Sequence, residues 1–346
     1  MDLRETMKAL CTECGPSGFE DKVVRKAIEL IEPLCDETWI DRAGNAIGAK
    51  RCGKKDAKKV LLVAHLDEIG LVVTGIEDGF LRFAKLGGVD PRMLPGRELT
   101  VLTEPPIFGV VTCLPPHIMD RENASKTTPM EDLRIDIGCT QEEAEKLVPV
   151  GTPVSFRKAS YSLGENLYCS ASLDDRACFV ACMRAMELLQ GRDIDYDVYI
   201  MGSTAEETSS RGAVTGAYAL NPDYCIVVDV CHAHTVDGGP KNRVGKLGGG
   251  PEITIGPNIQ RHISSHLVEL AKKHRLPHQL GAAGGNTYTD AWPMQVARAG
   301  FNMTLLSLPT RYMHTPIEVV DVRDIEWLAE LIAYAIAEPF EEVYEC

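Results

Sequence analysis

The sequence has no apolar run long enough to cross a membrane. Apolar runs such as residues 60–63 and 225–230 are far shorter than the roughly 18 residues that a membrane-spanning helix needs. The first residues are largely charged and lack the apolar core of a secretory signal peptide. We therefore expect a cytoplasmic protein with no membrane partner.

Basic residues are scarce relative to acidic ones. The chain has 36 Lys and Arg against 50 Asp and Glu, which gives a net charge of -14. Nucleic acid is not an expected partner, because proteins that bind it carry a basic surface for the phosphates. Aromatic residues make up only 6% of the chain, few for a sugar-binding cleft. The G-x-S-x-G motif is also absent, which argues against the serine hydrolases that carry it.

Cysteine, by contrast, is plentiful, with 12 in the chain. We expect free thiols, because the cysteines are scattered along a long chain and the cytoplasm keeps thiols reduced. Cys11 and Cys14 form a lone C-x-x-C pair. One such pair is compatible both with ordinary packing and with zinc binding, so the role of these two residues stays open.

The order of predicted elements indicates an α/β fold. Helical spacing of apolar residues predicts helices at residues 20–34, 177–189, 263–273 and 325–338. Apolar runs predict buried strands at residues 60–64, 198–201, 225–230 and 303–308. Strands that alternate with helices form a largely parallel sheet covered on both faces, so we expect three α/β/α layers.

The middle of the chain has a different sequence pattern. Residues 71–163 contain short alternating apolar runs punctuated by Gly and Pro, typical of a small β-rich unit. Within it we predict a strand at residues 134–138 and a helix at residues 140–147, which begins with a capping-type Thr-x-x-Glu. We therefore expect residues 1–70 and 164–346 to form one discontinuous α/β domain, interrupted by the inserted unit of residues 71–163.

Histidine and acidic residues follow several predicted strands, and one acidic pair precedes a helix. The carboxyl ends of parallel strands share one edge of the sheet, where open α/β folds bind ligands. Each group alone has an ordinary alternative, such as a structural histidine, a helix N-cap or a solvated charge pair. The residues are His65 and Asp67, Asp174 and Asp175, Glu206 and Glu207, Asp229, and His314.

Together these residues predict a site for divalent metal ions. Glu206 and Glu207 end an apolar strand, where an unneutralised carboxylate pair is costly and a cation would relieve the cost. Asp67 is placed to accept the second ring N–H of His65 if that imidazole binds a metal. Imidazole nitrogens with carboxylate oxygens suit Zn²⁺, Co²⁺ or Mn²⁺, and an unligated carboxylate can act as a general base.

In these motifs the sequence resembles the M42 family of metallo-aminopeptidases, the glutamyl and tetrahedral aminopeptidase group, some members of which carry an endoglucanase label. The resemblance runs nearly end to end, and the ordered series is far more specific than any one motif. It implies a three-layer zinc-peptidase-like catalytic domain with an inserted small β-rich domain, barrel-like or PDZ-like. The motifs are Gly15-Pro16-Ser17-Gly18, Ala64-His65-Leu66-Asp67-Glu68-Ile69-Gly70, Asp174-Asp175-Arg176, Glu206-Glu207, Arg211-Gly212-Ala213, Thr289-Asp290-Ala291 and Arg311-Tyr312-Met313-His314-Thr315-Pro316-Ile317-Glu318.

The resemblance also implies two divalent metal ions per subunit, with zinc as the expected metal and cobalt or manganese as alternatives. His65, Asp174 and Asp229 would hold one ion. Asp174, Glu207 and His314 would hold the other, with Asp174 bridging the two ions.

The family's reaction assigns roles to further carboxylates. Glu206 matches the general base, Asp67 matches the carboxylate that orients His65, and Asp175 is expected to serve the helix start instead. A water bridging the metal ions would attack the amino-terminal peptide bond of short peptides. In relatives the inserted domain forms dimers that assemble into a tetrahedral dodecamer, so a homo-oligomer acting on peptide substrates is expected.

Other functions stay open at this point. A related dinuclear amidohydrolase or deacylase would share the metal ligands but act on other substrates. A glycoside hydrolase would need two opposed carboxylates and no metal pair, which would leave His65 and His314 without a role. A binding or assembly module with the same fold would show no turnover.

Some features are left open by the residues and the resemblance alike. His232 and His234 closely follow Asp229, where they are either loop residues or further ligands. The preferred amino-terminal residue of the substrate, the native metal and the size of the assembly, dodecamer or smaller, stay undetermined by the sequence.

Overall fold

The computed structural model describes residues 1–114, 116–118, 126–236 and 245–338 of the chain. Its main body is an eight-stranded sheet with helices on both faces, joined to a closed barrel and a three-stranded sheet. The prediction of a three-layer α/β/α fold with an inserted β-rich unit is confirmed, and the inserted unit is a barrel. Among the described helices, none combines the length and apolarity needed to cross a membrane.

The large sheet has parallel strands at its centre. In spatial order its strands are β1 (Glu37–Ile40), β2 (Ala46–Lys50), β12 (Tyr196–Ser203), β3 (Lys58–His65), β13 (Tyr224–His232), β16 (Asn302–Thr310), β14 (Glu252–Ile255) and β15 (Gln279–Ala282). The four central strands β12, β3, β13 and β16 are parallel, whereas β2 and β14 lie antiparallel beside them. The carboxyl ends of the central strands therefore meet at one edge.

Alternating side chains of β3 divide the core into two layers. Val60 and Leu62 pack into the larger cluster, whereas Leu61 and Val63 pack into the smaller one on the other face. The larger cluster includes α1 (Leu3–Cys11), α2 (Asp21–Ile31), α4 (Leu173–Leu188), α7 (Arg261–Lys273) and α9 (Val322–Ala337). The smaller cluster includes α6 (Arg211–Leu220) and α8 (Ala291–Met294), and the short helix α5 (Glu206–Ser209) precedes α6.

The barrel has its own hydrophobic core. In spatial order its strands are β4 (Gly70–Glu77), β5 (Phe80–Leu86), β8 (Ile135–Asp136), β7 (Ile107–Val111), β6 (Glu98–Val101) and β9 (Pro153–Phe156). Helix α3 (Gln141–Leu147) packs beside it and begins with the predicted capping box between Thr140 and Glu143. The three-stranded sheet consists of β10 (Ser160–Leu163), β11 (Leu167–Ser170) and β17 (Glu318–Asp321).

Two predicted elements differ from the structure. The helix predicted at residues 20–34 is shorter, because α2 ends at Ile31 and a 3₁₀ turn follows at Glu32–Leu34, where Pro33 cannot donate a backbone hydrogen bond. The strand predicted at residues 134–138 is only β8. Helix α1 was not predicted; Asp2 caps it by accepting hydrogen bonds from two backbone amides.

The cysteines of the described residues are free thiols, as predicted. Cys11 is buried, and its Sγ lies 3.5 Å from the carbonyl oxygen of Ser172. Burial raises the pKa of Cys11 to about 11, which disfavours the thiolate that a zinc ion needs. In the part of the chain that the structure describes, neither Cys11 nor Cys14 belongs to a group of potential metal ligands. Packing is therefore the role that the contacts of Cys11 support.

A buried ion cluster joins the barrel to the α/β domain. The Glu68 carboxylate accepts hydrogen bonds from the Gly15 amide at 3.0 Å and from the Ser155 hydroxyl at 2.9 Å. Lys158 and Ser172 also donate to it, and the Arg176 guanidinium lies 3.6 Å away. Burial works to raise the pKa of Glu68, but the Lys158 and Arg176 charges outweigh it and lower that pKa to about 2.

The Glu68 cluster predicts a stability loss in acid. The folded pKa of Glu68 is depressed, so its contribution is present above the ordinary pKa of 4.5 and disappears as the pH falls towards about 2. A shift of this size corresponds to about 3 kcal/mol of unfolding free energy. Glu68→Gln should cost a similar amount at pH 7, because two buried cations lose their counter-charge. Denaturant unfolding of both proteins at pH 7 and pH 3.5 checks this, and parallel acid losses in both would contradict it.

Candidate metal centre

The sequence-predicted site residues converge at the carboxyl edge of the large sheet. Six of them line one open cavity of about 790 Å³. Neighbouring parallel strands bring them together, since each residue lies in the carboxyl half of a central strand, just beyond its end, or at the start of a helix that covers the sheet. The cavity-lining residues of the predicted set are His65 of β3, Asp174 of α4, Glu206 and Glu207 of α5, Asp229 of β13, and His314 after β16.

The two oxygens of Asp174 face different imidazoles. Its Oδ1 lies 3.1 Å from Nε2 of His65, and its Oδ2 lies 3.3 Å from Nε2 of His314. The same His314 nitrogen is 3.3 Å from Oε1 of Glu207. One carboxylate therefore stands between two sets of potential ligand atoms.

Two groups of potential ligands share His65. Its ring, Asp174 and Glu207 form one group, and His65, Asp175 and Asp229 form the other, with all ligand atoms of a group within 4.8 Å of one another. Asp175 lies in the first turn of α4, and its carboxylate also faces the site. Its Oδ2 accepts a hydrogen bond from the backbone N–H of His65 at 3.1 Å, and its buried Oδ1 has no hydrogen-bond partner among the described residues.

Asp67 connects the β3 end of the site to α5. Its two carboxylate oxygens accept hydrogen bonds from the backbone amides of Glu206 and Glu207, at 3.0 and 3.1 Å. Nδ1 of His65 lies 3.2 Å from the carbonyl oxygen of Asp67 and 3.5 Å from its Oδ1. The fully buried Asp67 thus holds the backbone of both glutamates and also faces the outer nitrogen of the histidine.

The site contains many carboxylates, and their surroundings change their pKa values. Burial raises the pKa of Glu207, and the nearby Asp174 charge adds to this. Burial likewise raises the pKa of Asp229, together with the Asp175 charge. Burial also works to raise the pKa of Asp174, but hydrogen bonds from His314 and His65 outweigh it and hold that pKa low.

The donor set fits divalent cations. Buried carboxylates with like-charged neighbours are destabilised as anions, and a cation among them removes that penalty. Among the described residues, the buried Oδ1 of Asp175, in one of the two potential ligand groups, has no hydrogen-bond partner. Nitrogen and oxygen ligands in this proportion match the preferences of zinc, cobalt and manganese.

The barrel contributes one wall of the site through two glycines after β5. A Cβ atom on Gly88 would lie 2.4 Å from Nδ1 of His314, so any side chain there would displace the imidazole. Gly87 has a φ of +77° and would bring a Cβ within 3.0 Å of Glu207. The close approach of backbone to ligand therefore requires glycine at both positions.

Glu318 had no predicted role, although it belongs to the motif that contains His314. The buried Glu318 carboxylate accepts a hydrogen bond from the backbone N–H of Asp174 at 3.0 Å and another from that of His314 at 2.9 Å. It therefore fixes the main chain beneath two potential ligands that are 140 residues apart. The only signal in the sequence was its position four residues after His314, and this position does not indicate which groups Glu318 contacts.

Loss of Glu318 should weaken metal binding. Glu318→Ala leaves the amides of Asp174 and His314 without their acceptor, so the two ligand groups lose their fixed separation. We expect an affinity loss of about 10- to 100-fold, the usual effect of removing a group that orients ligands. Competition with a chromogenic chelator measures it. Glu318→Gln, which keeps one acceptor oxygen, should lose less, and wild-type affinity in the alanine variant would refute the role.

The two histidines whose role the sequence left open lie at the margin of the site. His232 lines the cavity and is exposed, whereas the buried Nδ1 of His234 has no hydrogen-bond partner in the part of the chain that the structure describes. Neither belongs to a potential ligand group within the described ranges. Arg311 donates a hydrogen bond to the carbonyl oxygen of His234 at 2.9 Å, which ties this loop to the segment that carries His314.

Comparison with known proteins, by sequence and by structure, gives relatives that are named as aminopeptidases or peptidases. A lysyl aminopeptidase of Pyrococcus furiosus is 35% identical over 93% of each chain. An aminopeptidase structure from Desulfurococcus kamchatkensis has a TM-score of 0.90 at 36% identity, covering 98% of this chain and 95% of that one. The TET1 peptidase of Pyrococcus horikoshii, described as assembling into a tetrahedron or a large octahedral shell, has a TM-score of 0.85 at 30% identity and covers 98% and 100%.

A family profile matches most of the chain and indicates the same kind of protein. Residues 44–331 match the family described as M42 glutamyl aminopeptidase, and this range contains all of the predicted metal ligands. The fold, the carboxylates at the edge of the large sheet and the relatives all indicate the same family. The chain is a peptide hydrolase that belongs to the M42 family of metal-dependent aminopeptidases.

Proposed function

We propose that this enzyme removes amino-terminal residues from short peptides with the help of two divalent metal ions. The observation that carries the proposal is the position of Asp174, whose two oxygens face His65 and His314 separately. A carboxylate placed in this way suits the bridge of a metal pair. The membership in a metal-dependent aminopeptidase family supports the same conclusion.

The two ions would share Asp174. His65 and Asp229 would complete one set of ligands, and Glu207 and His314 the other. When bound, such ions lower the pKa of water and polarise a carbonyl group. Zinc is the expected metal, with cobalt or manganese as alternatives, since the mixed nitrogen and oxygen ligands suit all three.

Glu206 is the proposed general base. It adjoins Glu207 but belongs to neither group of potential ligands, and its Oε2 lies 4.0 Å from Nε2 of His65. Its carboxylate would take a proton from the attacking water and pass it to the leaving amine. Asp67 would keep Glu206 in place through the hydrogen bond to its backbone amide, in addition to orienting His65.

We also propose how the chain divides and assembles. Residues 1–70 with 164–346 would form the catalytic unit, and residues 71–163 the inserted unit that mediates dimer formation. Dimers would then join into a homo-oligomer, with a tetrahedral dodecamer as the expected form. The relation to a TET1 peptidase described as forming tetrahedral or octahedral shells supports this. A closed shell would admit short peptides and exclude folded proteins.

Hydrolysis of matched substrates tests the proposed activity against its rivals. A panel of aminoacyl-p-nitroanilides is assayed with free and with acetylated amino groups. An aminopeptidase releases nitroaniline only from the free form, whereas a deacylase acts on the acetylated compounds. Release from neither, together with chelator-insensitive cleavage of a polysaccharide, would instead favour a glycoside hydrolase.

A further inference from the structure

The cavity contains an acidic group that is separate from the potential metal ligands. Glu252 begins β14 and lines the cavity together with Thr254. The intervening Ile253 is fully buried in the larger core cluster. This alternation places the Glu252 side chain on the cavity side of the sheet.

Strand register fixes how far Glu252 lies from the metal ligands. Ser307 of β16 pairs with Asp229 on one side and with Glu252 on the other, and all three line the cavity. Two strand spacings place the Cα atoms of Asp229 and Glu252 about 10 Å apart. The Glu252 carboxylate lies over β15, on the side of β14 that faces away from β16. Only a long side chain, such as that of lysine or arginine, would reach it from the metal ligands.

The neighbouring strand leaves room for the carboxylate. A Cβ atom on Gly281 of β15 would lie only 1.8 Å from Oε1 of Glu252. Any side chain at Gly281 would therefore move the carboxylate. Glycine at this position lets Glu252 lie across β15 within the cavity wall.

The Glu252 carboxylate has no positively charged partner among the described residues, and burial raises its pKa. The described residues that line the cavity include no Lys or Arg. Metal ions would offset the charge of the carboxylates that bind them, whereas Glu252 belongs to no group of potential metal ligands within the described ranges. A cationic group of the substrate would relieve the cost of this half-buried charge.

We infer that Glu252 selects substrates whose amino-terminal residue carries a positively charged side chain, lysine or arginine. The inference rests on the proposed aminopeptidase function. When the substrate's α-amine lies beside the metal ligands, the side chain of the substrate's first residue extends along the sheet towards β14. The ammonium or guanidinium group then meets the Glu252 carboxylate, two strands from Asp229.

The test compares lysyl- and norleucyl-p-nitroanilide, whose side chains have equal carbon counts and differ by the terminal amine. We expect wild-type kcat/KM to favour the lysyl substrate by about 10- to 100-fold, as for a charged hydrogen bond in a partly buried site. Glu252→Gln should reduce this ratio to about 1, chiefly through a higher KM for the lysyl substrate. Glu252→Lys should shift the preference towards glutamyl-p-nitroanilide.

The matched control is Glu269→Gln. Glu269 is exposed on α7 and does not line the cavity, so this variant removes the same charge elsewhere. It should keep the wild-type ratio. An unaltered ratio in Glu252→Gln would overturn the inference, including the case in which all substrates slow equally because Glu252 binds the α-amine. A wild-type preference for norleucine would overturn it too.

Binding of free amino acids separates this inference from the proposed function. Calorimetry on the metal-loaded protein compares L-lysine with L-norleucine. At least tenfold tighter binding of lysine, lost in Glu252→Gln, supports the inference even if no nitroanilide is cleaved. Equal binding of the two overturns it. Absence of cleavage from the whole panel would count against the aminopeptidase function alone.

Discussion

Replacement of Glu206 by glutamine should lower kcat by about 10³-fold, within the range that a general base contributes. The amide cannot take a proton from water, so both the attack and the later protonation of the leaving amine lose their carrier. Because Glu206 belongs to neither group of potential ligands, metal content and KM should stay close to wild type. Steady-state kinetics and metal analysis of the same preparation measure both.

Glu207→Gln is the matched comparison for this prediction. Glu207 adjoins Glu206, and its Oε1 faces His314 at 3.3 Å. The same chemical change there should lower metal affinity as well as turnover. The assignment of Glu206 fails if Glu206→Gln keeps more than about a tenth of wild-type kcat, or if it loses metal as Glu207→Gln does.

Replacement of Asp174 by asparagine should abolish activity by releasing both metal ions. One oxygen is lost from a residue whose Oδ1 faces His65 and whose Oδ2 faces His314, so each set of ligands is affected. We expect affinity for both ions to fall by more than the roughly 10- to 100-fold that follows loss of an orienting group. Metal analysis after dialysis and residual turnover are the measurements.

The adjacent Asp175 makes this test sharper. Asp175 is equally buried and lies in the group with His65 and Asp229. If it only positions His65 through the backbone hydrogen bond, Asp175→Asn should retain both ions and part of the activity. Loss of one ion from Asp175→Asn and none from Asp174→Asn would contradict the proposed bridge.

The fold and much of the site could be predicted because their signals are local. Each long central strand is a continuous apolar run, and the predicted ligands follow those runs directly, as His65 follows residues 60–64. Parallel strand ends share one edge, so separate motifs imply one site. The capping box of Thr140 and Glu143 is local in the same sense.

The contacts that hold the site together could not be predicted, because they join distant segments. Glu318 reaches the amide of Asp174, and Glu68 reaches Lys158 in the connection after the barrel. Neither residue differs in type or spacing from an ordinary surface glutamate. The hydrogen bond from the His65 amide to Asp175 was missed for the same reason, since it spans 110 residues.

The position of Glu252 in the cavity could not be predicted from the sequence either. It begins the short strand β14, and only the shared pairing of Ser307 with Asp229 and Glu252 reveals its distance from the metal ligands. Strand order and register are long-range properties, so a sequence pattern does not determine them.

A metal titration of the stripped enzyme tests the central claim most directly. The protein is treated with a chelator, dialysed, and supplied with Zn²⁺ or Co²⁺ in steps while peptide hydrolysis and bound metal are recorded together. Two ions sharing Asp174 predict no hydrolysis without metal and full activity at two equivalents per chain. Undiminished hydrolysis after stripping, or full activity at a single equivalent, would contradict the dinuclear site.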